Sequence, residues 1–199
     1  MVARIGTDPP RPGSAYQSWL AGFLLLGLAC VAHAGTPEHA LAITYGQGAF
    51  HSRLSERNYV GLSYRQAWQP GWAKDLLPDG TELSLAYTLS RFHGCGRGIC
   101  DQLTDVGFDP MLRYLPNSKS GASFYLDLGI GLHLISQTHI SNEIYSTALQ
   151  FRELIGIGCE FGRTRRYDLG LSLMHESNGD LKTRNDGMNF ILLSFAIHW

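Results

Sequence analysis

Eight segments of this chain alternate apolar and polar residues with a period of two, and most run ten to fourteen residues. The even count, the segment length and the make-up of the polar face predict an all-β protein: an eight-stranded antiparallel transmembrane β-barrel of the outer-membrane type. Alternation marks strands whose two faces meet different surroundings. Strands of soluble sheets most often have about five or six residues, whereas tilted strands of about nine to eleven cross a bilayer. The face opposite the apolar one carries glycine and charge, which suits the crowded interior of a small barrel.

The first element is a leader. Residues 20–32, LAGFLLLGLACVA, are apolar and uncharged but too short to span a bilayer comfortably. Ala32-His33-Ala34 offers small residues at the two positions that signal peptidase reads, so 1–34 is expected to be a cleaved signal peptide and 35–199 a single barrel domain.

The strands follow in order. Segment 40–50 places Leu41, Ile43 and Tyr45 on one face, and 57–68 does so with Val60, Leu62 and Tyr64. Segment 81–92 carries Leu83, Leu85, Tyr87 and Leu89, and 104–115 carries Val106, Phe108, Leu112 and Tyr114. Asp109-Pro110 marks a bulge or bend there, because proline cannot donate to the ladder. Segment 124–134, FYLDLGIGLHL, sets Phe124, Leu126, Leu128, Ile130, Leu132 and Leu134 against Tyr125, Asp127, Gly129, Gly131 and His133. Segments 147–162, 168–177 and 189–199 complete the set, with Ile155 and Ile157, Leu169, Leu171 and Leu173, and Ile191, Leu193 and Phe195 as their apolar faces. His133 and Asp127, with Arg152 and Glu176, are expected to form a polar network in the lumen. A soluble barrel of the lipocalin type would instead turn the apolar face inward.

Cys95 and Cys100 bracket the polar segment GRGI in an outer loop at 93–103, which suits a local disulfide outside the cytoplasm. Cys159 reads as an unpaired thiol. No cluster has metal-ligand spacing, so neither a metal nor another cofactor is expected. The formal net charge is −1 and no basic stretch interleaves with aromatics, so no nucleic-acid partner is expected.

The chemistry concentrates at 174–189, MHESNGDLKTRNDGMN. On a strand, His175 and Ser177 share a face, and the parity of Leu169, Leu171 and Leu173 turns that face toward lipid. With both chain ends in the periplasm, this strand delivers the pair to the level of the outer head groups. A serine hydroxyl is a weak nucleophile until a neighbouring imidazole takes its proton. The pair therefore points to hydrolysis of an acyl ester presented sideways from the outer leaflet.

HESNGDLKTRNDGMN resembles the C-terminal motif of the lipid A 3-O-deacylase family, eight-stranded outer-membrane barrels that remove an ester-linked acyl chain from lipopolysaccharide. VGFDPMLRYLP and QFRELIGIGCEFG resemble the family more loosely, and Trp199 resembles the terminal assembly signal of such barrels. The resemblance implies His175 as general base and Ser177 as nucleophile, with Asn178, Asn185 or the Gly179 turn as oxyanion donors. Lipid A and the surrounding outer-membrane lipids are the implied partners, and a homodimer is left open. The family carries a glutamate near the position of Asn189. Asparagine orients imidazole without supplying charge. Glu153 stands as the alternative acid: a turn centred near residue 165 sets it opposite residue 177. Asp186, in the loop over the site, is the other candidate, while Glu176 points into the lumen. The competing reading is a non-catalytic small barrel, an adhesin or structural protein that binds through its outer loops.

Overall fold

The computed structural model describes residues 38–50, 54–116 and 123–199, apart from the side chain of Lys74. The expected signal peptide, 1–34, lies outside them.

Eight long strands close into an antiparallel barrel: β1 (His39–Gly48), β2 (Glu56–Ala67), β3 (Thr81–Gly96), β4 (Ile99–Tyr114), β5 (Ser123–Ile135), β8 (Leu149–Phe161), β9 (Tyr167–Ser177) and β10 (Met188–His198). β1 pairs with β10, so the two ends of the described chain meet at one rim, where the His39 N–H donates to the Trp199 carbonyl. A two-residue hairpin pair, β6 (His139–Ile140) and β7 (Glu143–Ile144), lies in the loop between β5 and β8 at the opposite rim.

The apolar faces point outward. Leu41, Ile43, Val60, Leu89, Val106, Leu128, Ile130, Ile155, Leu171 and Leu193 are all exposed, and every barrel strand contributes. Soluble monomers rarely leave so continuous an apolar belt bare. This orientation excludes the lipocalin arrangement. The run from Phe124 to Leu134, at ~3.4 Å per residue and about 40° of tilt, gives ~26 Å of height, close to the apolar band of such barrels. At the terminal rim Tyr64 stacks on His39 beside Trp199, and Tyr167 stacks on Phe195, which forms an aromatic edge to the belt.

The interior is filled in layers. Near the terminal rim Arg113 pairs with Asp127, Glu160 and Asp168 and lies over the Tyr125 ring. Farther along, His133 sits between Asp105 and Asp109, and Arg152 joins Asp105 to Glu176. The expected lumen network is therefore two networks, with Asp127 in the first and His133, Arg152 and Glu176 in the second. Above them an apolar plug of Tyr59, Phe92, Leu103, Met174, Met188 and Phe190 fills the barrel beneath the far loops. Interior glycines make room for these side chains: a Cβ on Gly107 would come within 2.0 Å of the His133 ring.

Two elements differ from expectation, and Cys159 agrees with it. The 93–103 segment is not a loop. β3 and β4 continue to a two-residue turn at Arg97-Gly98, both with positive φ (49° and 78°), the geometry of a tight hairpin. The Cys95–Cys100 disulfide joins directly paired residues just below it. At Asp109-Pro110 no residue is inserted: Phe108 and Met111 face Leu132 and Gly129 in unbroken register, and only the ladder to β5 parts between them. Proline lacks the N–H, and the Asp109 carboxylate occupies the space beside Gly131. Cys159 is a free thiol on the outward parity of β8.

Candidate active site

Strand register builds the site on the outer wall near the far rim. Asn189 of β10 pairs with His175 of β9, His175 pairs with Glu153 of β8, and Glu153 pairs with Ile130 of β5. One row across the lipid-facing surface thus reads Asn189, His175, Glu153, Ile130. The next row toward the rim holds Ser177 beside Phe151, and the row below holds Ile191, Leu173 and Ile155. On the other side of the wall Met174, Met188 and Phe190 lie in the apolar plug, so the strands carrying the site are packed from behind.

His175 Nδ1 lies 2.8 Å from Asn189 Oδ1. A carbonyl oxygen only accepts, so Nδ1 carries the hydrogen and Nε2 keeps its lone pair. That is the tautomer a general base needs. Nε2 has no hydrogen-bond partner among the described residues. Ser177 follows two residues along the same face, ~6.8 Å away in backbone rise, and its hydroxyl is likewise without a partner among the described residues. The Ser177–His175 hydrogen bond is not formed in this state; catalytic contacts commonly tighten only with substrate in place.

The far loops hold the imidazole from above. Gly187, at φ 66°, passes so close that an added Cβ would lie 3.0 Å from His175 Cε1. Gly187→Ala combines that approach with a backbone region costly for L-residues. It is expected to lower the rate of acyl release about tenfold or more by turning the ring, with barrel assembly unchanged; initial rates and gel mobility of the folded barrel check it. Arg57 donates to the carbonyls of Ala49 and Phe50 and, at 3.5 Å, to that of Asn189, and so holds Ala49 and Phe50 beside the site. The Asn-Asp-Gly turn was the available sign of Gly187, while Arg57 read from the sequence as an outer-loop arginine able to contact lipid phosphates, with no role assigned to it.

The other expected residues separate. Asn178 is fully buried on the inward parity, and its Nδ2 donates to the Tyr145 and Lys182 carbonyls. Asn185 accepts from the Asn178 backbone N–H and donates to Asp180. Both side-chain amides thus tie the β9–β10 turn together. The exposed turn residue Gly179, at φ 60°, packs on Phe151, next to Ser177. Asp186 accepts from the Ile144 N–H and belongs to the contact with the β6–β7 hairpin. In that hairpin Tyr145 is fully buried, and burial together with Glu143 pushes its phenol well above the usual range. Glu153 lies opposite His175 rather than residue 177, because the β8–β9 turn centres one residue earlier than expected. Glu176 points inward and pairs with Arg152, as its parity required.

Along the wall runs an open groove of ≈ 410 Å³ bordered by Glu153, His175 and Asn189, with Phe50, Leu128, Ile155 and Leu173 as its apolar lining. Its shape and chemistry suit a hydrocarbon chain entering from the side.

Residues 58–198 match the sequence model of the family described as Lipid A 3-O-deacylase (PagL). The Lipid A deacylase PagL of Bordetella bronchiseptica is 27% identical over 179 residues, which cover 89% of this chain and 93% of that protein. The Lipid A deacylase PagL of Pseudomonas aeruginosa is 30% identical over 73 residues, 37% of this chain and 41% of that one. The crystal structure of the outer membrane enzyme PagL superposes with a TM-score of 0.59 over 78% of this chain and 98% of its own, at 20% identity, a likeness of fold. A family match over most of the barrel settles the relationship: the chain belongs to the lipid A 3-O-deacylase (PagL) family.

Proposed function

We propose that this protein is an outer-membrane lipid A 3-O-deacylase in which Ser177 is the nucleophile, His175 the general base and Asn189 the residue that orients it. The observation that carries the mechanism is the placement of His175 and Ser177 on one outward strand face, with Asn189 fixing the Nδ1–H tautomer, at the end of an apolar groove open to the bilayer. Export through the 1–34 leader and both termini in the periplasm belong to this reading, which sets the site at the outer leaflet, where lipid A resides.

The chemistry follows from the geometry. The acyl chain lies in the groove with its ester carbonyl beside Ser177. As Ser177 Oγ bonds to the carbonyl carbon, its proton passes to His175 Nε2 and the carbonyl π pair moves onto oxygen. The Gly179 backbone N–H is the proposed oxyanion donor, with Asn178 and Asn185 building the turn that presents it. Collapse expels the sugar oxygen, which takes the proton from Nε2. Water then attacks the acyl-serine, giving its proton to Nε2. The second collapse releases the fatty acid, and Oγ recovers the proton. All of these residues come from one copy, so the reading does not need the homodimer.

The test is incubation of the detergent-purified barrel with lipopolysaccharide, followed by mass spectrometry of lipid A. Loss of one ester-linked chain is expected. Unchanged lipid A with a folded barrel would instead favour the non-catalytic binding barrel, the reading that the neutral Asn189 leaves standing.

A further inference from the structure

The family resemblance sets a carboxylate where this chain has Asn189, and an amide cannot supply the charge that steadies a protonated imidazole. His175 has two cross-strand neighbours on the outer face, Asn189 on β10 and Glu153 on β8. Directly opposed residues in an antiparallel pair hold their Cβ atoms about 4.5–5.5 Å apart. Glu153 is the one carboxylate bordering the groove among the described residues.

Its surroundings give it no structural reason to be charged. Its cross-strand neighbour on β5 is Ile130, 62% exposed, and two positions along its own strand is Ile155, 51% exposed. Glu153 itself is exposed, and no hydrogen bond or ion pair engages its carboxylate among the described residues. An ionisable side chain on a lipid-facing wall is costly unless interfacial, and where it persists a functional partner is the first explanation.

We infer that the two tasks of the usual acid are divided here between two strands: Asn189 orients His175 by hydrogen bond from β10, and Glu153, a positioning residue on β8, supplies the negative charge that stabilises the imidazolium during acyl transfer. The inference rests on the deacylase reading. Glu153 makes no bond to substrate and transfers no proton. It remains a carboxylate facing the ring while Nε2 gains and loses the serine proton. The low polarity of the wall makes that charge count for more than it would in water.

The experiment compares the wild type with Glu153→Gln, Glu153→Gln/Asn189→Glu and Ser177→Ala in one lipopolysaccharide deacylation assay. Removing a charge from the lipid face does not threaten assembly, so lost activity in Glu153→Gln reports on the site; gel mobility of the folded barrel verifies this. Glu153→Gln is expected to lower kcat/KM ~10²-fold with KM little changed. Asn189→Glu in that background is expected to restore at least tenfold, which a packing role for Glu153 on β8 does not allow from β10. Wild-type rates in Glu153→Gln, or a loss that Asn189→Glu leaves unrepaired, overturn the inference while leaving the Ser177-dependent reaction standing. A wild type with no activity removes both.

Discussion

His175→Ala is expected to reduce kcat/KM for acyl release about 10³-fold or more and to leave the barrel folded. Without the imidazole, Ser177 has no proton acceptor on its face of β9; the outward neighbours below it are Leu173, Leu171 and Leu169. A hydroxyl at neutral pH is then almost wholly protonated and unreactive. What survives is positioning and oxyanion stabilisation, which leave a small residual rate in serine hydrolases generally. Stability should change little. The described tie of the ring is one hydrogen bond to Asn189, and alanine on a lipid-facing position carries no burial penalty. Initial rates on lipopolysaccharide, paired with unfolding midpoints of the same preparations, separate the two quantities. An alanine variant within tenfold of the wild-type rate would remove His175 as the base.

Arg113→Met has the opposite profile: a large loss of stability and little loss of chemistry per folded molecule. Arg113 holds Asp127 through two parallel bonds at 2.8 and 2.7 Å and meets Glu160 and Asp168 at 2.6 Å each. All three carboxylates are buried. Some support remains after substitution, since Arg65 approaches Asp127, Arg165 reaches Glu160 and His198 reaches Asp168. Removing one member of such a cluster leaves uncompensated charge and typically costs about 3–5 kcal/mol. The denaturant midpoint in detergent is expected to fall accordingly. Activity at low denaturant should stay within a few-fold, because the cluster lies toward the terminal rim and the site near the far rim. An unchanged midpoint would show that the lumen charges do not hold the barrel together.

Much of this was legible because a strand's period is two, a pattern that survives without knowledge of any partner strand. Leu169, Leu171 and Leu173 fixed the outward face of β9, and the same parity carried His175 and Ser177 onto it and Glu176 off it. Register was harder. It depends on where a turn centres, and the positive φ of Thr164 and Arg165 in the β8–β9 turn has no sequence mark comparable to glycine. One residue of displacement there moved Glu153 from the serine row to the histidine row. The β3–β4 hairpin was misread for a related reason: polar residues, glycine and cysteine at 93–103 resemble a loop, yet a strand extending past the membrane is free to be polar on both faces. Asn178 shows the limit of motif reading. Its neighbours in sequence suggest an oxyanion donor, but inward parity commits its amide to Tyr145 and Lys182, contacts between segments 33 and 4 residues apart. Gly187 gained meaning only once the loop was seen to pass over the ring.

The decisive measurement is acyl release from lipopolysaccharide by the folded wild-type barrel and by Ser177→Ala, with lipid A masses followed over time. A single ester-linked chain lost with the wild type, and none with the alanine variant, is the expected result. Equal release by both proteins, or release by neither from a barrel shown to be folded, would contradict a Ser177-centred deacylase on this wall.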